Sequence, residues 1–430
     1  MTDSKTNLFL RQSFFLFLTI RLLYWLLNPK SSFSFLLDAY RYDKLSNQIL
    51  QGNFDLDTGP FLVAPFYPWL MAGFKVIFGH LGLPTLSLCQ ILMESIAGVF
   101  LLKMAILLWG NRLLRCRILA ILYAFYPLTL FYCYSIGQES LFQSTLIISL
   151  FFYLKTCFFD NRKKDLMAFS VLFSICFLTK AHILLFAPFA VLGWYIIDKN
   201  WRKTVYKAVF LALISLSFTL PNGLFNLKKH HIYTFSSDGT MLFFWYGNSP
   251  YAYDVYVPQN KDYSTDSAFL IFAEGERFRD DKSAVSQQRF AQLPTYVERH
   301  RIFRDSAMNW IKRAPVTWFS LKKHQIMHFL IPGVTTPPYA FVVWLAVFCL
   351  SFPLYFFAYL GFYLAYKKEK YKHLWMGHLY LFMLVFSIIF GLQNRFRIIT
   401  LEPFLLIYAA YGCCFLFDKW TNKSALINQN

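Results

Sequence analysis

Acidic residues are scarce in this chain. Asp and Glu number 23 against 42 Lys and Arg, leaving a net charge of +19. The short motifs of several common enzyme classes are missing too. There is no glycine-rich phosphate loop, no His-Glu-x-x-His pair and no Gly-x-Ser-x-Gly turn, which sets aside the chemistries those motifs carry. No Cys-x-x-Cys pair occurs. All eight cysteines, Cys89, Cys116, Cys133, Cys157, Cys176, Cys349, Cys413 and Cys414, lie in or beside apolar segments, and none lies in the long polar stretch. A disulfide framework or a zinc site therefore has little to build on, and buried thiols are the expectation. His324 and His328 stand four apart, as metal ligands on a helix could, but no third ligand is evident. No internal repeat and no small-x-small cleavage site are present. After the first apolar run the chain reads Asn28-Pro-Lys-Ser-Ser, so that helix is expected to be retained.

What the chain does have is apolar length. It is 57% hydrophobic and 20% aromatic, above the roughly 45–50% apolar content of a soluble domain. Many windows reach the roughly 20 residues needed to cross a bilayer. The fold class expected is an all-α polytopic membrane protein. About ten spanning helices are predicted, near 9–27, 84–109, 118–134, 140–158, 166–179, 183–197, 205–221, 339–366, 374–392 and 398–417. With the N-terminus inside, the basic loops at Arg112–Arg117, Arg162–Lys164, Lys199–Lys207 and Lys367–Lys372 all fall on the cytoplasmic side. That distribution accounts for much of the positive charge without nucleic acid.

Segment 61–79 is apolar but short, and Pro65 and Pro68 break its start. It is expected to lie at the outer interface or dip into it. Two long pieces then face outward: a first loop, 28–83, and a stretch, 222–338, too long to be a plain connection. Three parts follow: an N-terminal membrane module over 1–221, a partly helical outer domain over 222–338, and C-terminal membrane helices over 339–430.

The polar residues on the predicted outer side are the candidates for chemistry. Asp38 opens an amphipathic segment, Asp38 to Leu50, with Tyr42 one turn on. It reads as a general base facing a cleft, or as a plain helix N-cap. Glu139, in a short turn, is a second acid at the same depth, or a residue favoured by a helix dipole. The two could share a divalent metal or position a hydroxyl. Lys180, His182, Arg395 and Arg397 are outer-side cations against the positive-inside trend, suited to phosphate of bulk lipid or of a substrate. Tyr67, in Pro65-Phe-Tyr-Pro68, and Asn248, in an aromatic-flanked turn, are candidate substrate contacts, although an interface belt is the plainer explanation of the aromatics.

In order along the chain, these pieces resemble the GT-C superfamily of membrane glycosyltransferases, in particular the bacterial branch similar to protein O-mannosyltransferases and to the lipid A aminoarabinose transferase. The resemblance covers most of the chain. It rests on Asp38 after the first helix, Pro65-Phe-Tyr-Pro68 closing at Phe78-Gly79, and Gln138-Glu-Ser-Leu-Phe142. It continues through Gly247-Asn-Ser-Pro-Tyr-Ala252, Trp310-Ile-Lys-Arg-Ala-Pro315 with Leu321-Lys-Lys323, and the run Arg395 to Phe404. Each motif is weak alone; their order is fairly specific. Val63-Ala64 stand where some relatives carry a charged residue before the proline segment.

The resemblance implies a GT-C fold and inverting transfer of a sugar from a polyprenyl-phosphate donor to an extracytoplasmic lipid, glycan or protein. Asp38 is then the base, or a metal ligand where a metal is used. Such a protein sits in the bacterial inner membrane with its site facing the periplasm. The alternatives are an O-antigen polymerase or ligase, which relies on outer Arg and His, and a transporter or flippase, which is expected to show inverted halves.

Overall fold

The structure, a computed structural model, describes residues 3–27, 39–54, 64–110, 112–134, 136–159, 163–231, 233–236, 239–257, 262–280, 292–333, 341–391 and 394–427, with isolated positions between 283 and 289. Among these the secondary structure is helical and no strand occurs. The first half comprises α1 (Asp3–Leu27), α2 (Ala39–Leu50), α3 (Phe66–Phe78), α4 (Gly82–Trp109), α5 (Leu113–Phe125), α6 (Pro127–Tyr134), α7 (Gln138–Phe158) and α8 (Lys163–Thr179). A 3-10 turn, Ala181–Phe186, leads to α9 (Ala187–Asp198) and α10 (Trp201–His230). The polar stretch folds as α11 (Thr240–Gly247), α12 (Pro250–Tyr256), α13 (Ser267–Asp280), α14 (Tyr296–Arg313) and α15 (Pro315–Leu330). Three long helices close the chain: α16 (Phe341–Lys368), α17 (Lys370–Phe390) and α18 (Asn394–Ile427).

Among the described residues, all ten apolar segments predicted from sequence are mainly helical. Among the described residues, eight helical runs are long and apolar enough to cross a membrane, or nine if α5 and α6 act as one. The count differs from ten for local reasons. Helix α8 has only 17 residues. The predicted span 118–134 is bent by 52° between α5 and α6, because Pro127 forces Tyr126 into an extended conformation. The predicted span 205–221 runs on to His230, with Pro221 inside it.

Residues 66–109 form one apolar run, but not one straight helix. Tyr67 donates a hydrogen bond to Gln90, 23 residues later, at 2.9 Å. At 1.5 Å per residue those positions would lie about 34 Å apart on a straight helix. The chain therefore reverses through Gly79–Leu81, and α3 doubles back along α4. Gly79, with φ 55, terminates α3 in a conformation that favours glycine. Lys75 on α3 holds α2 from the other side, with its ammonium 2.6 Å from Asp43, 2.7 Å from Ser46 and 2.7 Å from Asn47.

The main core runs through the long helices. A second cluster of Ala39, Tyr42, Leu45, Tyr67, Met71, Leu86, Ile136 and Leu141 welds α2 and α3 to α4 and the start of α7. A third, around Trp245 stacked on Tyr251, packs the helices α11 to α14 of the polar stretch together. Its helices start on strong local signals: a capping box of Thr295 with Glu298 opens α14, and Ser249 caps α12 ahead of Pro250. The domain seats on the end of α17, where Gly247 meets the backbone of Phe390 and Gly391 so closely that a Cβ would overlap it.

Candidate functional site

The most concentrated polar constellation lies where α2, α3, α4, α7 and the end of α8 converge. Helix α7 starts at Gln138 after an extended Gly137, which sets Glu139 in its first turn. Helix α8 stops at Thr179, and Lys180 follows in an extended conformation that turns its side chain inward. The Lys180 ammonium lies 3.0 Å from Glu139 Oε1, with both side chains buried. It also sits 4.9 Å from the centre of the Phe396 ring. With the Gln138 amide oriented as its neighbours require, Nε2 donates to the Thr179 carbonyl at 2.6 Å. The amide oxygen accepts from the Tyr42 hydroxyl at 2.7 Å and from Lys180 at 3.1 Å. The Tyr42 ring meets the Tyr67 ring edge-on at 5.2 Å. Four of the predicted residues, Tyr42, Tyr67, Glu139 and Lys180, are thus brought together, and Gln138 ties them.

Asp38 lies outside the described residues, but its neighbour Ala39 opens α2 and is buried in the same cluster. The side chain of Arg395 is likewise outside them, although its backbone forms the first turn of α18.

The other three predicted residues serve different surroundings. His182 is boxed by the rings of Phe142, Phe382, Phe386 and Phe396, with Nε2 3.4 Å from the Thr400 hydroxyl. The buried Arg397 guanidinium donates to the carbonyls of Phe329 (2.7 Å), Ile331 (2.5 Å) and Gly333, and weakly to that of His328 (3.3 Å). These are the free carbonyls at the end of α15, where a cation is favoured. Glu402, 3.7 Å away, completes the charge balance and accepts from Tyr355 at 2.6 Å and from Tyr126. The Asn248 amide donates to the carbonyls of Phe244 (2.7 Å) and Ile389 (2.6 Å), and its oxygen accepts from Trp318 at 2.9 Å. Asn248 and Gly247 thereby fasten the domain to α17. The Gly247 carbonyl accepts from Lys322 and Gln325, each at 2.9 Å. Burial pulls the Lys322 amine down to about 7.

Sequence reasoning missed a second buried group directly beneath the pair. Glu94 on α4 accepts from Tyr123 at 2.8 Å, from Ser140 at 3.3 Å and from Gln143 at 3.3 Å. Arg21 on α1 lies 4.6 Å from the centre of the Tyr123 ring. The available signal was one acid and one arginine, each inside a run otherwise apolar enough to cross a membrane. No group of three or more His, Cys, Asp or Glu side chains is clustered for a metal among the described residues. Glu139, one of the two predicted metal candidates, already faces an ammonium.

A family model described as dolichyl-phosphate-mannose-protein mannosyltransferase matches residues 62–225, which include α3, Glu139 and Lys180. No curated protein matches the chain. Among solved structures, the Archaeoglobus fulgidus oligosaccharyltransferase, tethered to an acceptor peptide, superposes with a TM-score of 0.55 at 16% identity, covering 97% of this chain and 51% of its own. The chain thus spans about half the length of that protein. ArnT from Cupriavidus metallidurans aligns in its apo state (TM-score 0.40, 14% identity) and with undecaprenyl phosphate bound (0.39, 13%). Both cover 92% of this chain and 77% of their own. The chain is a multi-pass membrane protein with a fold like that of the Archaeoglobus fulgidus oligosaccharyltransferase, and over residues 62–225 it is similar to the dolichyl-phosphate-mannose-protein mannosyltransferases.

Proposed function

We propose that this protein transfers a sugar from a polyprenyl-phosphate donor to an acceptor hydroxyl, with inversion, at the site around the Glu139–Lys180 pair. The observation that carries the reading is that pair itself. A buried acid and ammonium, joined by Gln138 to α2, stand inside the segment that matches the mannosyltransferase family. Asp38, one peptide unit before the buried Ala39, is the general base. It takes the acceptor proton as the acceptor oxygen attacks the anomeric carbon from the face opposite the phosphate. The bond from that carbon to the phosphate oxygen breaks, and the polyprenyl phosphate leaves with the electron pair. General-base catalysis of this kind contributes about 10²–10⁴ in rate.

Arg395 is the cation assigned to the leaving phosphate, and Lys180, buried against Glu139, adds its positive charge through the field and not by contact. Arg397 and His182 contribute shape on the same side of the site, Arg397 because its guanidinium is engaged by backbone carbonyls and His182 because it is boxed by rings. Tyr42 and Tyr67, buried against each other, hold α2 and α3 in place beside the pair. The site is assigned to the periplasmic side of a bacterial inner membrane, because the basic loops fall on the opposite side.

The test is sugar transfer by purified protein in lipid nanodiscs, read as release of polyprenyl phosphate. Asp38→Asn is expected to lower turnover at least a hundredfold while leaving expression and thermal stability intact. Wild-type turnover in that variant would sink the reading. Mass spectrometry of envelope lipids and glycans with and without the protein identifies the sugar and the acceptor.

A further inference from the structure

We propose that Glu94 is a positioning residue: its carboxylate fixes the rotation of α7 and so aims Glu139 at Lys180. Glu139 and Gln143 stand four apart, on one face of α7. Gln143 Nε2 lies 3.4 Å and 3.3 Å from the two carboxylate oxygens of Glu94, and Ser140, the neighbour of Glu139, reaches Glu94 Oε1 at 3.3 Å. Glu94 therefore grips α7 through two side chains on the face next to the line along which Glu139 projects, which fixes the rotation of the helix about its axis. Tyr123 anchors the carboxylate itself from α5, donating at 2.8 Å to Oε2.

The charge arrangement shows why orientation is the function of this group. A buried carboxylate needs a countercharge, and Arg21, fully buried on α1, is the nearby cation. Yet none of the three guanidinium nitrogens of Arg21 makes a hydrogen bond of good geometry among the described residues, its neighbours being Tyr123 and Cys133. The guanidinium lies against the rings of Tyr123, at 4.6 Å, and Phe17, at 5.8 Å. Those rings close on Gly98, where any side chain would displace them. A charge pair joined across an aromatic ring rather than by hydrogen bonds is a poor stabiliser. It neutralises Glu94 while leaving both carboxylate oxygens directed at Tyr123, Ser140 and Gln143.

The inference rests on the reading of the Glu139–Lys180 pair as part of the transfer site, and the experiment separates the two. Full-length Glu94→Gln and Gln143→Leu variants, and the exchanged double variant Glu94→Gln with Gln143→Glu, are compared in nanodiscs. Turnover is measured per folded molecule, and amide hydrogen exchange is followed over residues 139–147. Both single variants are expected to lose about tenfold in turnover and to exchange faster at the start of α7. The exchanged variant, which restores one carboxylate facing one amide, is expected to recover both. Should Glu94→Gln not fold, Gln143→Leu carries the test by itself, since it leaves the Arg21–Glu94 pair untouched. Folded single variants with wild-type turnover and exchange overturn the proposal, as does an exchanged variant no better than the singles. A wild-type protein that transfers no sugar from any polyprenyl-phosphate donor, while the exchange pattern holds, overturns the functional reading and leaves the positioning role supported.

Discussion

The ammonium of Lys180 and the carboxylate of Glu139 lie 3.0 Å apart with side chains 3% and 2% exposed. Such a pair owes its energetics to desolvation. The attraction roughly offsets the cost of removing both charges from water, whereas either partner left alone is a buried, uncompensated charge. Gln138 adds a further hydrogen bond to Lys180 and links it to Tyr42 on α2.

Removing one member should therefore hurt far more than removing both. Lys180→Met is expected to destabilise the protein by about 3–5 kcal/mol, and the double variant Lys180→Met with Glu139→Leu by much less. Thermal unfolding of the purified variants in detergent measures this. A single variant as stable as wild type would mean that the pair is solvated.

Arg397 separates a structural cation from a substrate-binding one. Its guanidinium holds carbonyls at the end of α15 as well as Glu402, a planar fork that lysine cannot reproduce. Several charge-assisted hydrogen bonds at about 1.5–3 kcal/mol each are at stake. Arg397→Lys is expected to lower stability by about 3 kcal/mol or more, with the KM for donor in the folded fraction changed less than twofold. A donor-selective rise in KM at intact stability would return Arg397 to the phosphate.

Much of the fold was legible because long apolar runs have few ways to fold in a membrane. Among the described residues, all ten predicted segments are mainly helical, and the proline-rich start of 61–79 signalled an element other than a plain span. The reversal that brings Tyr67 back to Gln90 was not legible, since it depends on a tertiary hydrogen bond. Neither were the roles of Arg397 and Asn248. Sequence shows an arginine and an amide on the candidate side of the membrane. It does not show that carbonyls 64–69 residues upstream engage the first, or that Ile389, 141 residues downstream, engages the second. Glu94 was visible as an acid in an apolar run, but its partners come from three other helices. By contrast, Glu139 and Lys180 were singled out from short turns, and burial brings them into contact because both turns close the same end of the bundle.

Lys322 should make the seating of the polar domain depend on pH. Its ammonium donates to the Gly247 carbonyl and to Gln325, each at 2.9 Å, and burial pulls the amine down to about 7 from an ordinary lysine value of about 10.4. Below pH 7 both the folded and the unfolded chain carry the proton, so the cost of burying the charge is present in full and stability is flat with respect to this group. Between about 7 and 10.4 the unfolded chain binds the proton and the folded one does not, so stability rises with pH, by at most about 1.4 kcal/mol per pH unit. The neutral amine keeps enough hydrogens for both acceptors, so the contacts themselves survive deprotonation. Thermal unfolding between pH 6.5 and 9.5 is therefore expected to show a rising contribution that is absent from Lys322→Met. Equal pH slopes in the two proteins would show that the amine keeps its proton in the folded state, with water reaching it beside Gly247.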